Sequence, residues 1–118
     1  MASELRVNTL KDASGNNSVA MTYVAEGTAK AWVNFNGTGT IATRDSLNVS
    51  GLTDNGTGDY AYAISSAFTN TNYAASVTGR QGGYIGGFYH SGSSASSTRV
   101  FVASDSGAAI DGDVVACG

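Results

Sequence analysis

Short runs in which large apolar and polar residues alternate dominate the chain. Leu5, Val7 and Thr9 alternate with Glu4, Arg6 and Asn8, a brief strand pattern followed by the turn-forming run Asp12-Ala13-Ser14-Gly15-Asn16-Asn17. That opening segment is too short to build a core. Two readings of it stand: a disordered arm, or an arm ordered by pairing with another chain. The stretch from Val19 to Ala29 reads as a short helix or a linker, with Gly27 opposing a long helix. From Lys30 onward strand patterns recur. Trp32, Asn34 and Asn36 alternate with Val33 and Phe35. Leu47 to Leu52 reads as one strand. Tyr60, Tyr62 and Ile64 form a large-side-chain face opposite Ala61 and Ala63. Further strands are predicted over Tyr73–Thr78, Tyr84–Tyr89, Arg99–Ala103 and Asp113–Cys117, and Asn55-Gly56 is predicted as the centre of a type I′ hairpin turn.

About seven short strands separated by turn residues predict an all-β chain: a single β-sandwich, jelly-roll-like, over residues 29–118, preceded by an N-terminal arm or linker over 1–28. No fixed-period repeat points to a solenoid.

Composition alters this picture in one respect. Leu, Ile, Val and Phe together make up just under a fifth of the residues, and charged residues only 13%. With so small a net charge (−3) this does not signal disorder, but it leaves a thin core. Burial between subunits is the expected remedy. The six cations, Arg6, Lys11, Lys30, Arg44, Arg80 and Arg99, are scattered, which argues against a nucleic-acid partner. No stretch is long and apolar enough for a membrane span, and residues 1–20 lack a basic start followed by an apolar run, so a chain made and assembled in the cytoplasm is expected.

Two runs are distinctive: Ala29-Lys30-Ala31-Trp32-Val33-Asn34-Phe35-Asn36-Gly37-Thr38-Gly39, and Arg44-Asp45-Ser46-Leu47-Asn48-Val49-Ser50 leading into Thr53-Asp54-Asn55-Gly56-Thr57-Gly58-Asp59-Tyr60. Residues 29–60 resemble the AKAWVNFNGTGT…TDNGTGDY signature of C-terminal domains in tail-fibre proteins of tailed bacteriophages, many from marine and cyanobacterial phages. The opening Ser3 to Leu10 is similar to the start of such proteins, and the resemblance fades beyond about residue 75. It implies a β-rich homotrimeric fibre or knob in a virion that contacts other tail or capsid proteins and attaches to a host cell-surface glycan or lipopolysaccharide. A capsid or tail decoration protein, or a head fibre, built from the same module is the architectural alternative. The signature carries no catalytic residue.

The segment from Arg80 to Ser97 holds most of the binding chemistry, because glycines admit close approach and aromatics supply flat contact area. Tyr84, Tyr89, His90, Gln81, Asn70 and Asn72 are the candidate receptor contacts, in loops around 69–72, 80–84 and 91–97 that a receptor binder exposes at the end opposite the arm. In the competing reading, Tyr84, Gly86 and Phe88 line the core face, which turns Ile85 and Tyr89 outward. Leu5, Val7 and Leu10 are candidate virion-docking residues. Trp32 is expected in the core or a trimer interface, and Cys117 as a small buried hydrophobe. Asp54, Asn55 and Asp59, or Asp111 and Asp113, lack EF-hand spacing and read as turn residues. No metal, cofactor or enzymatic activity is expected: no G-x-S-x-G elbow accompanies the single histidine, His90. A depolymerase would need two carboxylates astride the scissile bond.

Overall fold

The computed structural model describes residues 2–80 and 83–118. It contains ten strands and one short helix: β1 (Thr9–Lys11), β2 (Ser18–Ala20), α1 (Met21–Gly27), β3 (Trp32–Asn36), β4 (Ala42–Leu47), β5 (Val49–Gly56), β6 (Asp59–Ile64), β7 (Ser76–Gly79), β8 (Tyr84–Ser94), β9 (Ser97–Ser104) and β10 (Val114–Cys117). The last eight form two antiparallel sheets packed face to face. Sheet I has the order β4-β3-β10-β7, and sheet II the order β5-β6-β9-β8.

The core comes from the four central strands and the residue before the first of them. Val33 and Phe35 of β3 and Val114 and Ala116 of β10 face Tyr60, Tyr62 and Ile64 of β6 and Val100 and Val102 of β9, with Ala31 beside them. The period-two rule places them there, since alternate side chains of a strand share one face. Phe35 and Tyr60 meet edge to face, 5.2 Å between centroids. The buried Tyr60 hydroxyl lies 2.8 Å from the Gly37 carbonyl and 2.9 Å from Asp111 Oδ1, so its polar end is satisfied.

Three strand expectations are corrected. Leu47 to Leu52 is not one strand. Asn48 adopts φ 57°, its backbone turns, and the chain crosses from β4 in sheet I to β5 in sheet II. The Asn48 side chain holds the crossing: Nδ2 donates to the carbonyls of Lys30 and Ser66 (both 3.1 Å), and Oδ1 accepts from the Ser66 amide (2.7 Å). Asn55-Gly56 is not the hairpin centre. Gly56 pairs with Asp59, so Thr57 and Gly58 form the turn and Asn55 sits in a bulge. Gly58 is required there: its φ is 67°, its carbonyl accepts from the Val102 amide, and a Cβ would run into the Val102 and Ile110 backbones. Tyr73 precedes its strand, which starts at Ser76. The eight-strand sandwich also departs from a jelly roll, in which successive strands alternate between sheets. Here β3-β4, β5-β6 and β8-β9 are hairpins that stay within one sheet.

The segment before the sandwich pairs with itself. β1 and β2 form a hairpin whose turn is fastened by Asp12: its backbone closes on Asn17 and Gly15, and its carboxylate accepts from Asn17 Nδ2 at 2.7 Å. The ladder begins at Thr9, leaving Leu5 and Val7 outside it. The stretch left open as helix or linker divides into β2, α1 and a connector. The helix has seven residues, no side-chain N-cap and no buried residue, so it depends on the hairpin behind it and on Thr28 Oγ1 donating to the Val24 carbonyl.

Candidate functional site

Sheet II presents an open outer face, and β8 shows how it is furnished. Tyr84 and Phe88 point inward. The Tyr84 ring lies against Gly112, its Cβ and backbone against Gly79, and it packs on the core. Ile85 and Tyr89 point outward, 51% and 40% exposed, which is the alternation read from the sequence. Across the sheet, Tyr89 registers with Arg99 and Arg99 with Ala61. In the next row Gly87 registers with Phe101 and Phe101 with Asp59. Gly87 lacks a side chain, so the Phe101 ring lies over its backbone where any Cβ would collide with it.

These rows bring four side chains together. Tyr89 and Phe101 are 4.8 Å apart between centroids, tilted by 45°. The Arg99 guanidinium sits 5.0 Å from the Tyr89 ring centroid and reaches diagonally to Asp59 in a two-pronged ion pair, with Nε donating to Oδ1 at 2.9 Å and a terminal nitrogen to Oδ2. The hydrogen bond from Arg99 holds the Asp59 carboxyl below the usual carboxylate range. Beside this cluster, between the β5–β6 turn and the segment after β9, lies a cavity of about 290 Å³. Thr57, Gly58, Asp59, Tyr89, Phe101, Ala103, Gly107 and Ala109 line it.

A second concavity, about 950 Å³, separates the end of α1 and residues 28–30 from loop 65–75 and the chain end at 117–118. Asn70 and Asn72 line it with Phe68 and Tyr73. Asn70 Oδ1 accepts from the Asn72 amide at 2.8 Å, so part of its polar capacity shapes the loop. Tyr73 packs edge-on against Phe68 (4.6 Å) and tilted against Phe88 (5.8 Å), and its hydroxyl meets Thr98 Oγ1 at 2.9 Å. His90 is exposed, 6.4 Å from Phe88.

The six candidate contacts therefore do not form one site. Tyr89 stands on the outer face of sheet II, Tyr84 packs inward, Asn70 and Asn72 line the groove, His90 lies beyond Phe88 on β8, and Gln81 lies outside the described residues. The three loops do not gather at the end opposite the arm. Loop 69–72 faces the end of α1 across the groove. The β8–β9 turn lies beside it, with the Phe68 amide donating to the Ala95 carbonyl. Residue 80 lies at the other end, with the Arg80 amide donating to the Asp113 carbonyl. Leu5 and Val7 precede β1 and Leu10 lies within it, all exposed.

Trp32 is not in the core. Its strand places it on the outer face of sheet I between Leu47 and a half-buried Cys117. The acidic turn residues are engaged within the fold: Asp54 accepts from the Gly56 amide, Asp111 from the Gly58 amide, and Asp113 pairs with Arg44 at 2.8 Å. Arg99 and Phe101 were not singled out as contacts by the sequence reading, and Asp59 was read there only as a turn residue. The signal was present: Arg99 and Phe101 share parity in a strand whose other face is Val100 and Val102.

Comparisons with protein-family models, with curated proteins and with solved structures return no match to this chain.

Proposed function

We propose that the chain is a virion structural protein of the tail-fibre or fibre-knob type that attaches to host-surface glycan through the outer face of sheet II. The observation that carries this reading is the Tyr89–Phe101 pair flanked by the Arg99–Asp59 ion pair on an open sheet face. Aromatic faces cover the C–H face of a sugar while charged groups exchange hydrogen bonds with its hydroxyls. Among the described residues, Asp59 is the one carboxylate lining the cavity, and Arg99 occupies it, which favours binding over hydrolysis by paired carboxylates. The resemblance of residues 29–60 supplies the virion context.

The proposal includes a homotrimer, with the N-terminal residues serving as an extended arm that docks on other virion proteins through Leu5, Val7 and Leu10. Surface area supports assembly. The chain exposes 7279 Å² at 11.9 kDa, whereas a compact monomer of that mass exposes roughly 5,950 Å². The difference exceeds the roughly 800 Å² per partner of a standard interface, although the hairpin and helix contribute to it. The outer face of sheet I is the surface proposed to meet other copies. Leu47 (50% exposed) and Val115 (38%) flank Trp32 there, and the buried Asn34 Oδ1 has no hydrogen-bond partner among the described residues. Three copies would multiply a weak single-site affinity.

One observation favours the architectural alternative, a capsid or tail decoration protein. Loop 69–72 and the β8–β9 turn lie at the arm's end of the sandwich, the end a docked arm turns toward the virion. The experiment that separates the two is adsorption of fluorescently labelled protein to a panel of bacterial strains, before and after periodate oxidation of their surface sugars. The attachment reading expects binding to some strains, lost on oxidation. Failure to bind any strain leaves the architectural role. Light scattering on the native chain and on Leu47→Asp tests assembly: a trimeric mass that falls to a monomeric one is expected, and a monomeric native chain refutes the trimer.

A further inference from the structure

We infer that the cavity beside Tyr89 and Phe101 takes a single neutral pyranose ring and discriminates against anionic sugars. The inference rests on the attachment reading and makes it specific.

Size comes first. At about 290 Å³ the cavity sits at the lower edge of the roughly 300–1,000 Å³ range of small-molecule sites, so it has room for one ring and not for a chain of them. Its walls are of two kinds. Phe101, Tyr89 and the methyl groups of Ala103 and Ala109 are apolar and suit the C–H face of a pyranose. The Asp59 carboxylate and the Thr57 hydroxyl stand at the other side and suit ring hydroxyls. A carboxylate has about four lone-pair positions. Arg99 uses one on each Asp59 oxygen and Asn55 Nδ2 lies 3.5 Å from Oδ1, which leaves an acceptor position on Oδ2 for a sugar O–H donor.

Charge then decides the class of sugar. Asp59 is the charged residue lining the cavity, and Arg99 neutralises it in a two-pronged pair. An incoming uronate or sialate has no free cation to meet here. To recruit Arg99 it would have to displace Asp59, which would leave two carboxylates side by side. A neutral hexose has no such conflict. The position of Arg99 over the Tyr89 ring adds a second restraint that binding an anion would disturb.

The test is an NMR titration of the ¹⁵N-labelled full chain with the neutral methyl pyranosides of glucose, galactose and mannose, and with methyl glucuronide and N-acetylneuraminic acid. Expected are shifts of the amides at 57–59, 89, 101–103 and 107–109 with at least one neutral pyranoside, and at least tenfold weaker binding of both acids. Tyr89→Ala, an exposed change, should abolish the shifts while leaving the rest of the amide spectrum in place. Asp59→Asn frees Arg99 and should reverse the preference toward glucuronide. Three results overturn the inference: equal or tighter binding of the acids to the native chain, shifts confined to Asn70 and Asn72 in the groove, or no response to any pyranoside. Attachment to cells that survives Tyr89→Ala would remove this cavity from the account and leave attachment standing. The absence of attachment in the native chain would remove the attachment reading itself, whatever the titration shows.

Discussion

Asn48 is the residue on which the sandwich turns, and its replacement by Ala and by Gly measures two separate contributions. The residue has φ 57° and makes three side-chain hydrogen bonds that tie the β4–β5 crossing to Lys30 and Ser66. Each bond contributes about 0.5–1.5 kcal/mol net. Alanine loses all three and must also hold a left-handed backbone, at about 1–2 kcal/mol for a residue with a Cβ. Asn48→Ala should therefore cost about 3–5 kcal/mol, a large share of the roughly 5–15 kcal/mol that stabilises a domain. Asn48→Gly loses the same bonds but accepts the backbone, so it should be about 1 kcal/mol less damaging. Urea unfolding followed by the fluorescence of Trp32, which neighbours Leu47 across the β3–β4 pair, reads both. The expected order of midpoints is native, then Gly, then Ala, with unchanged slope. Ala at or above Gly would refute the backbone argument. Both variants within about 0.5 kcal/mol of the native chain, the ordinary scatter of surface substitutions, would refute the role of the crossing altogether.

Four other outcomes are expected. Tyr60→Phe leaves the Gly37 carbonyl without its hydroxyl donor and Asp111 Oδ1 with the Gly58 amide alone, and should lower stability by about 1–3 kcal/mol, read as a fall in thermal midpoint of about 4 °C per kcal/mol. Burial, and for Tyr60 the Asp111 carboxylate as well, raises the folded-state pKa of Tyr60 and Tyr62. The stability this contributes is therefore fully present below the ordinary tyrosine pKa of about 10 and is lost as pH climbs above it; Tyr60→Phe should flatten that alkaline decline in a series of melts. Asn34→Val removes a buried acceptor that has no partner among the described residues, and in dilute protein, where the proposed assembly would dissociate, it should raise the thermal midpoint, by about 1–3 kcal/mol in stability; a lowered midpoint would show that Oδ1 is satisfied after all. Deleting residues 2–20 should leave the thermal midpoint of the sandwich unchanged, because no core residue precedes Ala31; a fall of several degrees would show that the hairpin braces the sandwich.

What the sequence disclosed and what it hid follow from the range of the interactions. The large face of Tyr60, Tyr62 and Ile64 and the outward turn of Ile85 and Tyr89 were legible because alternation is a local property of a strand. The break at Asn48 was not, since Leu47 and Val49 flank it with an uninterrupted apolar pattern and the cause lies in partners eighteen residues away in either direction. The Asn-Gly signal named the correct hairpin but missed its centre. Gly58 is fixed there by the Asp111 carboxylate and the Val102 backbone, neither of them near in the chain. The cluster on sheet II escaped for the same reason: Asp59, Tyr89 and Arg99 meet only through the registers of β6, β8 and β9.

The same registers separate stability from recognition. The central strands use one parity of residues to make the core and the other to furnish the outer faces: Val100 and Val102 point inward, Arg99 and Phe101 outward. A substitution at Tyr89 or Arg99 therefore changes the proposed binding surface without opening a cavity, because neither side chain belongs to the buried cluster. Gly87 is an exception to this separation. It sits on the outer face of sheet II, yet any side chain there would push Phe101 off the sheet, so the flatness of the face is set by a residue with no side chain of its own. On the proposed attachment reading, specificity would vary at Tyr89, Thr57 and Ala109 while Gly87 and Gly58 hold the backbone beneath them. Those three positions, and not the glycines, are where substitution tests that reading at small cost to the fold.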